Sequence, residues 1–328
     1  MICNTEFLAP TRRTVMALTI AAVFAGLPAQ ASAQTFTALA TTGMIGDAVK
    51  AVAGDAAKVD VLLGTGIDPH SYKPTRSDIA RLASAEIVFY NGLLLEGKMT
   101  DALVRVANAG RPVIPVTEAL DEKYLLEPEG FAGQYDPHVW MDVSGWKKAA
   151  EAVRDSLIKF RPALADTFRT NAARYLGELA KLDKYVRDAV ASVPKGSRVL
   201  ITAHDAFNYF GRAYDFDVQG IQGISTESEA GLKRIQELVD LLVKRRIGAV
   251  FVESSVSDRN VRALIEGARA RGHTVKIGGE LYSDAMGAPG TYEGTYIGMI
   301  DHNATTIARA LGGKTPVRGM SGQLARAD

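Results

Sequence analysis

Residues 163–190 contain no proline and a single glycine, and Phe168, Ala172, Tyr175, Leu179, Leu182, Val186 and Val190 recur there at spacings of three or four. That period predicts one continuous amphipathic helix. At 1.5 Å per residue it reaches about 40 Å, enough to run down the side of two lobes. Pro194-Lys195-Gly196 stops it. On its N-terminal side, short apolar runs at 36–41, 59–63, 86–90 and 112–116 alternate with helical patterns such as 44–52 and 76–83. A second series follows it, at 198–202, 217–221, 249–252 and 274–277. Repetition of βα units on both sides of a long helix predicts an α/β protein, with two lobes of parallel sheet flanked by helices and one helix joining them. The boundaries fall at 34–162 for the first lobe, 163–193 for the link and 194–328 for the second lobe. A rigid connector of this kind limits how far the lobes can swing apart; a stripe of apolar residues alone is also compatible with a helix that covers only one sheet.

The chain has 38 basic and 37 acidic residues and a net charge of +1, so nothing recommends a polyanionic partner such as nucleic acid. Hydrophobic residues at 47% are enough for real cores in both lobes. At the N-terminus, Thr11-Arg12-Arg13-Thr14 precedes an apolar run at 15–27 and then Ala31-Ser32-Ala33, which reads as a cleavable export signal over residues 1–33. The paired arginines suit the general or the twin-arginine route. The apolar run is too short to span a bilayer, so a periplasmic protein is expected. Cys3 is the only cysteine and leaves with the leader, so the mature chain is expected to carry neither disulfides nor a lipidated N-terminal cysteine.

Three of the five histidines stand in short segments that follow a strand-like run or a proline turn: Asp68-Pro69-His70, Asp136-Pro137-His138-Val139-Trp140 and Thr202-Ala203-His204-Asp205. Tyr282-Ser283-Asp284-Ala285-Met286-Gly287 adds a carboxylate of the same setting. Three imidazoles and one carboxylate are borderline donors suited to a divalent transition metal. Open α/β sheets bind ligands beyond the carboxyl ends of their strands, where His70 and His204 both fall. Each imidazole needs its second nitrogen held, and Asp68, Asp136, Asp142 and Asp205 are candidates, though turn or cap formation would use them equally well. Glu253 closes a strand at the cleft, where it either orients a ligand or simply bonds at the strand end. Glu227 and Glu229 read as early acids of a helix N-terminus. His273 reads as solvated at a turn, and His302 as a helix residue; neither belongs to the metal set.

The runs from Val199-Leu200-Ile201-Thr202-Ala203-His204 to Phe210, Phe251-Val252-Glu253-Ser254-Ser255, Gly278-Gly279-Glu280-Leu281-Tyr282-Ser283-Asp284 and Gly294-Thr295-Tyr296 resemble the metal-specific solute-binding proteins of ABC importers, cluster A-I, of the TroA type. Asp68-Pro69-His70 with Tyr72 and Pro74, Asn91-Gly92 with Leu95-Glu96, and the Asp136–Asp142 segment match in the same order. The resemblance covers the whole mature chain. It implies His70, His138, His204 and Asp284 as first to fourth ligands, with His204 standing where manganese-selective relatives carry Glu. It further implies two α/β lobes, a single linking helix, and one zinc or manganese ion per chain in the cleft. The ion would be passed to a membrane permease with its cytoplasmic ATPase, by a monomer that is not an enzyme.

Other classes fit less well. A secreted zinc hydrolase would need an open coordination position and a general base, and no His-Glu-x-x-His occurs. An adhesin-like surface protein would show a lipid anchor or a repeat-bearing extension. A high-affinity zinc scavenger would carry a histidine-rich loop before the second ligand, and residues 121–134 hold no histidine. Three imidazoles and one carboxylate form a softer set than two of each, which favours zinc over manganese without excluding either.

Overall fold

Strand β1 (Phe36–Ala40) lies inside a four-stranded parallel sheet of order β2-β1-β3-β4, with β2 at Ala57–Val61, β3 at Ile87–Tyr90 and β4 at Val113–Pro115. Phe36, Ala38, Leu39 and Ala40 are all buried, as expected of a strand covered on both faces. Helices α1 (Gly43–Ala53), α2 (Arg76–Ser84) and α3 (Thr100–Asn108) make the crossovers, and α4 (Val143–Phe160) follows. In this computed structural model, residues 1–2, 35–128, 133–228 and 230–325 are described. The expected export signal at 1–33, beyond its first two residues, and Glu229 lie outside the described residues.

The long apolar stripe forms α5, Ala165–Ala191. Its buried residues include Phe168, Ala172, Tyr175, Leu179, Leu182 and Val186. It packs against α1 and α4 from the first half, and against α6 (Asn208–Tyr214) and α9 (Tyr296–Ala310) from the second. The helix therefore serves both halves, not one sheet. Between α6 and α9 the chain continues through α7 (Leu232–Arg245) and α8 (Arg259–Ala270). The second half has two parallel strand pairs, β5 (Val199–Thr202) with β6 (Asp217–Gly220) and β7 (Ala249–Glu253) with β8 (Lys276–Leu281), and β5 runs beside β7. No helix among the described residues is long and apolar enough to cross a membrane.

Three sequence expectations shift. Strand β2 ends at Val61, because Leu62 and Leu63 leave the ladder as a buried turn whose N–H groups donate to the carbonyls of Ala40 and Thr41. Strand β8 runs past the apolar run at 274–277, through Gly278 and Gly279 to Leu281. A Cβ at Gly278 would lie 2.8 Å from Phe251 and from Ala310, so these glycines let α9 and the neighbouring strand close on β8. Glu227 does not begin a helix: α7 starts at Leu232 behind Gly231, and Glu227 lies in a preceding turn, 2.9 Å from the Lys98 ammonium.

The two halves are stitched together near the cleft. Tyr209 of α6 donates to the carbonyl of Asp136, Asn208 donates to the Asp136 carboxylate at 3.1 Å, and the indole of Trp140 donates to the carbonyl of Ser283 at 2.9 Å.

Candidate metal centre

The four side chains singled out in sequence come together. His70, His138, His204 and Asp284 each offer one donor atom, all within 4.8 Å of one another, and all four residues are buried. They arrive from the loop after β2, the segment before α4, the end of β5 and the turn after β8. At β5 the loop can turn tightly because β6 carries Gly220 there; a Cβ on Gly220 would stand 2.6 Å from the Asp205 backbone.

Distances at the centre are diagnostic. His70 Nε2 is 3.2 Å from His138 Nε2 and 3.6 Å from Asp284 Oδ2. His138 Nε2 lies 3.4 Å from Asp284 Oδ1, and His204 Nε2 lies 3.3 Å from Asp284 Oδ2. A tetrahedral ion with donors at about 2.0–2.2 Å has edges of about 3.3–3.6 Å, so these separations are those of a coordination shell. His204 Nε2 and both oxygens of Asp284 are buried without a hydrogen-bond partner, a costly arrangement that a cation among them would satisfy. The donor set fits zinc or manganese.

Two imidazoles are aimed from behind. Asp136 takes a bond from the His138 ring at Nδ1, 2.7 Å, and another from its backbone N–H at 2.9 Å. Glu253 does the same for His204, at 2.5 Å to Nδ1 and 2.8 Å to the backbone N–H. Each carboxylate thus fixes the tautomer that leaves Nε2 facing the centre. Asp142 and Asp205 take no part: Asp142 caps α4 through Ser144 N–H and accepts from Tyr124, while the Asp205 backbone N–H donates to the Gly223 carbonyl. Asp68 bonds the backbone N–H of His70 and not its ring. His273 bonds the Ile247 carbonyl, so it is anchored and not merely solvated, and His302 of α9 bonds the Glu280 carbonyl.

The local electrostatics favour exchange of protons for metal. Burial drives His70 down to about 4. Burial also opposes charge on His138, but Asp136 and Asp284 outweigh it and hold the imidazole up at about 9. For His204 burial is likewise overcome, by Glu253 and Asp284, and its proton is held well above the ordinary imidazole range. Burial favours the neutral acid at Asp284, yet His204 and His138 keep it well below the usual carboxylate range. A metal must therefore displace protons from His138 and His204. Raising the pH from about 6.5 to 9 removes that competition, so zinc affinity is expected to keep rising across this window and not to level off above the value of free histidine. Calorimetry in buffers of different ionisation enthalpy should show proton release on zinc binding near neutral pH; no release, with an affinity that is flat over the window, would contradict the assignment.

Comparison with known proteins places the chain. Residues 39–310 match the family described as zinc-uptake complex component A, periplasmic (ZnuA). The manganese-binding lipoprotein MntA of Bacillus subtilis (strain 168) is 49% identical over 272 residues, covering 83% of this chain and 88% of that protein. The zinc-binding protein TroA of Treponema pallidum (strain Nichols) is 46% identical over 271 residues, covering 83% of this chain and 87% of that protein. The solved structure of the periplasmic zinc-binding protein TroA from Treponema pallidum superposes with a TM-score of 0.82 at 45% identity, over 84% of this chain and 99% of that one. The chain belongs to the ZnuA/TroA family of metal-binding substrate-binding proteins of ABC importers.

Proposed function

We propose that this chain captures one zinc or manganese ion outside the cytoplasm, with His70, His138, His204 and Asp284 as ligands, and hands it to the permease of an ABC importer driven by a cytoplasmic ATPase. The observation that carries this reading is the convergence of three imidazole nitrogens and a buried carboxylate at the edge lengths of a coordination tetrahedron. Four protein donors close the shell and leave no position for the activated water of a catalytic zinc, so the chain is a binding protein and not an enzyme. Export by the leader at 1–33, lobes at 34–162 and 194–328 with the link at 163–193, and action as a monomer complete the proposal. Among its relatives TroA is named for zinc and MntA for manganese, and three imidazoles tilt the intrinsic preference of this chain toward zinc.

Position 204 offers the test. Replacing His204 by Glu should harden the shell and lower the zinc-to-manganese affinity ratio. Glu253 complicates the single variant, because its carboxylate sits where an imidazole N–H donates and would face a second buried carboxylate. The informative protein is therefore His204→Glu with Glu253→Gln. Competition titration of both metals should show a lower ratio than wild type; an unchanged ratio in a folded double variant would remove His204 from the ligand set.

A further inference from the structure

His70 is held differently from the other three side chains of the centre. Its side chain retains 4% exposure, where those of His138, His204 and Asp284 have none. It sits in a segment with no helix or strand between β2 and α2. Its Nδ1 makes no hydrogen bond among the described residues, so nothing equivalent to Asp136 or Glu253 orients the ring. The local tie is indirect: the Asp68 Oδ1 accepts from the His70 backbone N–H at 2.9 Å. Asp68 Oδ2 in turn accepts from Ser71 Oγ at 2.7 Å, within the same loop, and from Thr226 Oγ1 at 2.6 Å. Thr226 belongs to the other half of the molecule, in the turn between β6 and α7. A polar cavity of about 590 Å³, lined by Asp68, Gln222, Thr226, Ser255 and Arg259 among others, adjoins this contact. Of the two ties that the described residues of the turn make to the first half, Thr226 to Asp68 is the one whose partner holds the His70 backbone. The neighbouring Glu227–Lys98 pair has both side chains more than a third exposed and holds only the surface.

We propose, on the reading of the centre as a metal site, that Thr226 is a positioning residue that sets how long the ion stays bound. Its hydroxyl fixes the Asp68 carboxylate, Asp68 fixes the His70 backbone, and His70 is the ligand that leaves first. Loss of the Thr226 bond frees the loop that carries His70 while the other three donors, whose side chains are fully buried, stay in place. The effect falls on dissociation, since it concerns a bond present in the closed site.

Stopped-flow release of zinc into excess chelator measures this directly on the full mature chain. Thr226→Val, which keeps shape and removes the hydroxyl, should release zinc about tenfold faster than wild type, at the low end of the range found for groups that bond a ligand directly, because Thr226 acts through Asp68. Thr226→Ser should restore the wild-type rate, and Glu227→Gln should leave it within about twofold, because an exposed pair contributes little. The unfolding temperature of the metal-free Thr226→Val protein should match wild type, which a merely structural role would not predict alongside faster release. Equal acceleration in Thr226→Val and Glu227→Gln overturns the assignment to the Thr226–Asp68 bond, as does a wild-type rate in Thr226→Val. A wild-type chain that takes up no zinc overturns the metal reading and this inference with it.

Discussion

Asp284→Ala is expected to weaken zinc binding by more than about a hundredfold, since losing even an outer partner of a ligand costs about 10–100-fold. Asp284 is the one carboxylate of the shell, and its two oxygens face the Nε2 atoms of all three histidines. Its removal takes away a donor, and the only one of the four that carries negative charge. Asp284→Asn keeps the volume and one carbonyl oxygen but not the charge, and should fall between wild type and Ala. His273→Ala is the control, because that imidazole bonds the Ile247 carbonyl away from the centre and should leave affinity unchanged. Competition against a chelating dye reads all four proteins; a folded Asp284→Ala protein within a few fold of wild type would exclude Asp284 as a ligand.

Leu182→Ala is expected to destabilise the metal-free protein by about 2–5 kcal/mol, the usual cost of a large-to-small change in a core. Leu182 is fully buried on α5, in the hydrophobic cluster that joins α1 and α4 to α9. At about 2–4 °C per kcal/mol for a chain of this order of size, the unfolding temperature should drop by roughly 4–20 °C. Lys181, its exposed neighbour on the same helix, tests the contrast: Lys181→Ala should shift it little. Thermal unfolding followed by circular dichroism distinguishes them, and equal shifts would mean that the apolar stripe of α5 does not hold the halves together.

How far the sequence reaches depends on whether the signal is local. The α5 stripe is a period written into consecutive residues, so its extent is readable to within a few positions. Parallel strands are set by their partners, and so β2 and β8 differ from the apolar runs: β2 takes its register from β1, and β8 runs on through two glycines that serve close packing against Phe251 and Ala310. The four residues of the centre were found from their loop settings and family resemblance. Their supporting groups were harder. Asp136 stands two residues from His138, within reach of local reasoning, whereas Glu253 is legible as a strand-end carboxylate that could orient a ligand, and that the ligand is His204 follows only from β5 and β7 running side by side. Thr226 gave no signal at all, since its partner Asp68 is distant in the chain and a lone threonine in a turn has many uses.

The central claim is a single closed shell of nitrogen and oxygen donors, and one measurement addresses it directly: metal content of the mature protein loaded with zinc, combined with X-ray absorption at the zinc edge. One zinc per chain is expected, with nitrogen and oxygen neighbours at about 2.0–2.2 Å and no sulfur. Two ions per chain, or one ion whose neighbours do not include imidazole nitrogen, would contradict it.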